Sequence, residues 1–260
     1  MPKRDGFDHG VPSWVDLTTS DVEAAKNFYA SLFGWQWEAA DVPPELGAYW
    51  MARLDGELVA GLSPQPEEMA GQGIPSTWNT YINVESVDET TARAEAAGAQ
   101  VVALPMDIGD AGRMAVLRDP SGAAIGMWQA GSHRGAGLVA EPGALTWNEV
   151  YAPDTEAIVS FYKQVFGWES ASMSTPDGGS YTTFTVGGAP VGGTVPPTPE
   201  QMPPHWQVWF GSADSEATAA RAAELGATVF ARLPGSPPGN FAFLRDPTGA
   251  SVAIITPPQS

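Results

Sequence analysis

The chain of 260 residues carries 30 Asp and Glu against 12 Lys and Arg, a formal net charge of −18. A phosphate backbone or an anionic membrane surface is therefore a disfavoured partner. The absence of cysteine excludes disulfides, thiolate catalysis, zinc–thiolate and iron–sulfur sites.

Hydrophobic residues make up 43%, enough for a sizeable core, and 29 Gly with 24 Pro favour short strands and turns over a helical bundle. Met1-Pro2-Lys3-Arg4-Asp5-Gly6 leads into no apolar run. No segment reaches the ~20 apolar residues of a membrane span. The expectation is a cytoplasmic protein without a signal peptide.

Trp14–Thr18 reads as a strand. Ser20 is the expected N-cap, with Glu23 completing a capping box. Val22, Ala25, Phe28, Tyr29, Leu32 and Phe33 recur at helical spacing, which predicts a helix over 21–33 ended by Gly34. Strand-like runs follow at 35–39, 48–54 and 57–62, then a Pro, Gly and Glu-rich loop over 63–76. The pattern restarts with a strand over 77–84 and a helix over 87–97, opened by Ser86 and Glu89 and closed by Gly98. Strands follow at 100–105, 113–118 and 123–129. Asp119-Pro120-Ser121-Gly122 has the composition of a type I turn.

The sequence is then written again. Trp14-Val15-Asp16-Leu17 returns as Trp147-Asn148-Glu149-Val150, and Phe28-Tyr29 as Phe161-Tyr162, both offset by 133 residues. Phe33-Gly34-Trp35 returns as Phe166-Gly167-Trp168, and Asp119-Pro120-Ser121-Gly122 as Asp246-Pro247-Thr248-Gly249. Helices are expected near 154–166 and 214–225. The organisation predicted is one domain over 12–129, a small, polar, Gly- and Pro-broken linker over 130–144, and a second domain over 145–257.

The order β-α-β-β-β, twice in each half, with these landmarks, resembles the vicinal-oxygen-chelate superfamily of glyoxalase I, bleomycin-resistance proteins and extradiol dioxygenases. It is similar in particular to its tandem two-domain branch of glyoxalase-like "hydroxylase" proteins. The resemblance implies an α+β fold of two tandem domains, each made of two βαβββ modules forming a curved mixed sheet around a cleft. One such frame serves lyases, oxygenases and binders, so it specifies fold better than function.

Enzymes of the superfamily hold a metal at three or four strand positions. Carried over, these fall on Trp14, Asn79 and Gly126 in the first half, and on Trp147, Gln207 and Ala253 in the second. Only Gln207 among them is a plausible first-row metal ligand. The expectation is therefore no metal cofactor. The alternative is one divalent metal in the second domain, or base catalysis, if Glu149, His205 and Gln207 converge there.

Both halves instead place aromatic and amide side chains at these positions. Trp14, Asp16, Asn79 and Tyr81 correspond to Trp147, Glu149, Gln207 and Trp209. Rigid flat rings beside a few polar groups suit a planar organic ligand. Trp50, Arg113 and Trp128 in the first half, with Tyr181 and His205 in the second, complete the candidate lining. No Gly-x-Ser-x-Gly elbow or phosphate loop is present.

Three readings follow. One is a metal-free binder of a planar metabolite, with a resistance or accessory role in secondary metabolism. The second is a metal-dependent glyoxalase-like lyase or dioxygenase using Glu149 and His205. The third is an interaction protein with vestigial clefts. The expected partner is a small organic ligand, without nucleic acid or membrane, on a monomer or homodimer.

Overall fold

The computed structural model describes residues 3–175, 178–196, 203–236 and 239–256, so residue 257 of the expected second domain lies outside them. The first module contains β1 (Pro12–Thr19), α1 (Val22–Phe33), β2 (Gln36–Ala39), β3 (Trp50–Leu54) and β4 (Glu57–Pro64). A short helix, α2 (Glu67–Gly71), occupies part of the stretch expected to be loop. The second module contains β5 (Thr77–Asn83), α3 (Val87–Ala96), β6 (Gln100–Ile108), β7 (Gly112–Arg118) and β8 (Ala124–Ala130).

The second domain repeats the plan. Its first module has β9 (Leu145–Tyr151), α4 (Thr155–Phe166), β10 (Glu169–Ser174), β11 (Ser180–Val186) and β12 (Ala189–Val195). Its second has β13 (His205–Gly211), α5 (Ser215–Glu224), β14 (Thr228–Ser236), β15 (Gly239–Arg245) and β16 (Ser251–Thr256). Among the described residues no helix is long and apolar enough to cross a membrane.

Each domain is one eight-stranded mixed sheet, ordered β2-β3-β4-β1-β5-β8-β7-β6 and β10-β11-β12-β9-β13-β16-β15-β14. The two modules of a domain join through their first strands, β1 antiparallel to β5 and β9 antiparallel to β13. Each first strand also pairs parallel with the last strand of its own module.

The caps differ from expectation at one end. Asp21, not Ser20, caps α1 by accepting from the Ala24 N–H at 3.0 Å, and Asp154 does the same for Ala157 in α4 at 2.9 Å. A carboxylate is favoured at the positive end of the helix. Ser86 caps α3 as expected, accepting from Glu89 N–H at 3.2 Å.

Strand alternation sends Val15 and Leu17 to the helix-bearing face of the first sheet and Trp14 and Asp16 to the other. The helix-bearing faces of the two domains then share their cores crosswise. Val15, Phe28, Tyr29, Trp35 and Trp78 of the first domain pack with Val208, Phe210, Ala222 and Ile254 of the second. Ile82, Leu117 and Met127 pack with Ile158, Phe161, Tyr162 and Trp168.

The duplicated signature residues close this interface. Tyr29 donates to Asp246 Oδ2 at 2.9 Å and accepts from Trp78 Nε1 at 2.8 Å. Tyr162 donates to Asp119 Oδ2 at 2.8 Å and accepts from Trp206 Nε1 at 3.0 Å. Each tyrosine therefore reaches the turn of the other domain. The other carboxylate oxygen of each turn, Asp119 Oδ1 and Asp246 Oδ1, takes the turn's own N–H groups. The sheets' remaining faces, one in each domain, look away from this shared core and correspond to the two concavities that the superfamily resemblance implies.

Candidate functional site

Each concavity is built on a buried carboxyl at its first strand. In the first domain, Asp16 accepts from Asn79 Nδ2 at 2.8 Å and from the Tyr49 hydroxyl at 3.1 Å. The Tyr81 hydroxyl is a third partner. Trp14 Nε1 donates to the Tyr49 oxygen at 2.9 Å. Burial pushes the Asp16 carboxyl above its ordinary value, against the pull of these donors.

In the second domain, Glu149 is 5% exposed, with the Tyr151 and Tyr181 hydroxyls beside it favouring its charged form. Trp147 Nε1 donates to the Tyr181 oxygen at 2.9 Å, as Trp14 does to Tyr49. Burial raises the Glu149 carboxyl, and burial beside Glu149 raises both phenols.

Two close approaches make this arrangement possible. A side chain at Gly61 or Gly193 would strike the hydroxyl of Tyr49 or Tyr181, so glycine there lets each tyrosine lie across the sheet to its carboxyl. Tyr49 was not among the sequence-derived candidates. Its signal was its correspondence to Tyr181 across the duplication, together with the paired glycines.

The two concavities part company above this common floor. The first is filled by its own chain. The imidazole of His133 meets Trp14 edge-on at 4.5 Å and Trp128 at 5.5 Å, and Trp128 Nε1 donates to the His133 carbonyl at 2.9 Å. Ala136 and Phe7 pack on the same cluster, with Met51, Leu58, Ile108 and Met114 around it. Ala136 N–H bonds Ser13 O at 2.8 Å, and Gly137 N–H bonds Leu58 O at 2.8 Å. The linker, expected as a loose polar connector, is thus a packed element with Ala136, Leu138 and Ala144 buried. Burial lowers the His133 imidazole to about 4.

In the second concavity Trp209 stands where the first has Tyr81, Tyr151 where it has Thr18, and His205 where it has Thr77. Trp209 packs edge-on against Phe241 at 5.3 Å and Phe243 at 5.1 Å. His205 lies parallel to Tyr151 at 5.0 Å, 4° between planes, with Nδ1 at 2.9 Å from Pro203 O. Trp147, Tyr151, Tyr181, His205, Phe241 and Phe243 are only half-buried. Among the described residues no linker segment packs on the Trp209 cluster.

Of the sequence candidates, Trp14, Asp16, Asn79, Tyr81 and Trp128 do meet in the first concavity, and Trp147, Glu149, Tyr181, His205, Gln207 and Trp209 in the second. Two fall elsewhere. Trp50 lies on the helix-bearing face, part of the shared core, with Lys26 Nζ 4.0 Å above its ring. Arg113 is turned to α3, paired with Asp88 at 2.8 Å and Asp107 at 2.8 Å. Its strand neighbours Ala115 and Leu117 are in the other shared core, with Ile158, Phe161 and Tyr162.

The residues do not fit the superfamily's metal. Two of the carried-over positions are indoles, and the ring of Tyr81 fills the space above Gly126 where a third ligand would project. Gln207 lies opposite Glu149, but its oxygen accepts from Ser251 Oγ at 2.8 Å and its amide donates to Val208 O at 3.0 Å. His205 is engaged with Tyr151 and Pro203. Among the described residues no three His, Asp or Glu sit together as a metal set.

Two surface depressions lie away from both concavities. One of about 300 Å³ runs between the domains, lined by Leu32, Phe33, Pro142, Ser212 and Thr218. Another of about 350 Å³ holds the Lys3–Glu57 ion pair. Neither contains a buried carboxyl, and Phe33 supplies the one ring between their linings.

Comparison with known proteins agrees with this architecture. Residues 11–127 match the model of the Glyoxalase/Bleomycin resistance protein/Dioxygenase superfamily, and residues 147–255 match that of a glyoxalase-like domain. CFP32 of Mycobacterium tuberculosis, which bears a glyoxylase's name, is 45% identical over 258 residues, 99% of this chain and 98% of its own. The anthracycline biosynthesis protein DnrV of Streptomyces peucetius is 34% identical over 260 residues, 96% of this chain and 94% of its own.

Among solved structures, the 2,3-dioxygenase LapB of Pseudomonas sp. KL28 superposes with a TM-score of 0.67 at 15% identity, covering 96% of this chain and 94% of LapB. The Mn(II)-bound glyoxalase of Novosphingobium aromaticivorans gives 0.66 at 16% identity, covering 96% and 83%. At such identity these two speak for the fold alone. The duplicated βαβββ sheets, the crosswise tyrosine–aspartate bonds and these matches together place the chain in the glyoxalase/bleomycin resistance protein/dioxygenase superfamily.

Proposed function

We propose that this protein binds one planar organic molecule per chain, in the second concavity, without a metal. The observation that carries the reading is the contrast between the two carboxyl-floored sites. The first is packed shut by His133, Phe7 and Ala136, while the second leaves Trp147, Tyr151, Tyr181 and His205 half-buried on the Glu149 side and Phe241 and Phe243 half-buried against Trp209. Exposed apolar surface in a concave, partly polar setting is what a small-molecule site requires. Tyr151 and His205, already parallel, offer a flat face on which a ring can stack. Relatives named for anthracycline biosynthesis support a fused-ring ligand and a resistance or accessory role in secondary metabolism.

The test is a titration of chelator-treated protein with 9-fluorenone, a planar tricyclic probe, followed by quenching of tryptophan fluorescence. Saturable binding unchanged by added Mn(II) or Zn(II), and weakened by Trp147→Ala, is expected. Binding that appears only with metal, or that ignores Trp147→Ala, would overturn the reading.

A further inference from the structure

Strand pairing in the second domain lays the side chains of its outward face in two parallel rows. Trp147 on β9 stands beside Trp209 on β13, Trp209 beside Ala253 on β16, and Ala253 beside Phe243 on β15. Two residues along each strand, Glu149 stands beside Gln207, whose oxygen accepts from Ser251 Oγ at 2.8 Å, and Ser251 stands beside Arg245. Residues two apart share a face, so Phe243 and Arg245 look the same way. The first row is apolar. The second is polar, and it runs from a buried carboxyl to an exposed guanidinium.

The far end of both rows is open to solvent. Phe230, in the bulge of β14, is 51% exposed and stacks on Phe243 at 5.9 Å. Arg245 Cζ lies 5.8 Å from the centre of the Phe230 ring. Among the described residues Arg245 has no hydrogen-bond acceptor and no ion-pair partner. A free guanidinium beside an accessible ring is where a planar acid can both stack and be hydrogen-bonded.

The first domain lacks this end of the face. Val116 stands there in place of Phe243, Val102 in place of Phe230 and Ala124 in place of Ser251. Arg118, the counterpart of Arg245, donates to its own turn at Gly122 O, 3.2 Å away. Only the second domain combines exposed rings with an arginine left unengaged.

We propose that the ligand of the second concavity is an aryl carboxylic acid, its rings lying along the Trp147–Phe243 row and its carboxylate held by Arg245 at the Phe230 end. This rests on the second concavity being the ligand site, and it adds the group that the ligand carries and the direction in which it lies. Trp147 and Phe243 are three strand spacings apart, about 14 Å, which three fused rings with a terminal carboxylate nearly cover. Arg245 is on this account a specificity-determining residue. The net charge of −18 repels acids in general, so a preference for the acid has to come from a cation placed in the site.

The experiment compares 9-fluorenone-2-carboxylate with 9-fluorenone-2-carboxamide, one ring system with and without the charge. Each is titrated into wild-type protein, into Arg245→Gln and into the first-domain control Arg118→Gln, with melting temperatures recorded alongside. Wild type and Arg118→Gln should bind the acid roughly tenfold more tightly than the amide, the worth of one hydrogen bond to a charged group. Arg245→Gln should bind acid and amide alike, with the amide affinity of the wild type. Equal affinities in the wild type, exclusion of the acid, or an acid preference that survives in Arg245→Gln would overturn the acid assignment while leaving the site intact. If neither compound nor 9-fluorenone binds the wild type, the ligand site itself falls and the assignment with it. Should Arg245→Gln fail to fold, the wild-type pair decides.

Discussion

The two concavities are copies of one design put to different ends. Both have a buried carboxyl on the first strand, a tyrosine laid over a glycine, and a tryptophan donating to that tyrosine. In the first, the space above this floor is filled by residues from outside the repeat, chiefly His133 of the linker and Phe7 of the N-terminal arm. A single linker joins the two halves; its stretch around His133 and Ala136 packs on the first sheet, while Pro142 and Gly143 pair with Gly211 of the second. Duplication thus left one copy free to become structural and the other free to keep an open aromatic face. The lesson is that a repeated floor does not make a site; the occupant of the space above it decides.

The largest expected effects separate the two floors directly. Trp14 is 4% exposed and inside a packed cluster, so Trp14→Ala should cost about 3–5 kcal/mol of stability. It should leave probe affinity unchanged. Trp147→Ala, on a half-buried ring, should cost clearly less stability and weaken 9-fluorenone by roughly tenfold or more. Denaturant melts and fluorescence titrations on the two variants check both. Loss of binding in Trp14→Ala with normal binding in Trp147→Ala would invert the assignment of the sites.

A smaller effect concerns the filling of the first concavity. The His133 imidazole falls from 6.5 to about 4 through burial, so the fold favours its neutral form. Its contribution to stability is complete above pH 6.5 and is lost as pH falls through about 4, a change of at most ~3 kcal/mol. The stability difference between wild type and His133→Phe, measured in urea at pH 7.5 and pH 4, should move by that amount in favour of the variant at low pH. A difference independent of pH would mean that the ring is not held in the cluster.

The smallest effect is one the two sites should share. Burial raises both Asp16 and Glu149 above their ordinary values of 3.8 and 4.5. Each carboxyl's favourable contribution is therefore complete below its ordinary value and is lost as pH rises through the raised one. Glu149→Gln and Asp16→Asn should each flatten that decline relative to wild type in a pH series of thermal melts. A decline unchanged by either substitution would show the carboxyl to be solvated.

Much of the architecture was legible in the sequence. The repeat, the helix spacing over 21–33, the Ser86 cap, and the turns at Asp119 and Asp246 are all local signals, and they specify the fold, although Asp21 caps α1 where Ser20 was expected. The pairing of Tyr29 with Asp246 and of Tyr162 with Asp119 was not legible, because it joins residues 217 and 43 positions apart across domains. The two misplaced candidates follow strand alternation: Trp50 shares its face with Ala52, and Arg113 with Ala115 and Leu117, on the helix-bearing side, where Arg113 meets Asp88 of a helix 25 residues away. His133 carried no periodic signal at all. A lone histidine among Gly, Ser and Arg gives no hint that its ring will fill a sheet.

The most direct test of the account is the number of planar molecules bound per chain. Equilibrium dialysis of the wild-type protein against 9-fluorenone at saturating concentration should give one per chain, and His133→Ala, which vacates the first concavity, should leave the tight site unaltered. Two equivalent sites in the wild type, or a single site lost with Trp14→Ala and kept with Trp147→Ala, would contradict it.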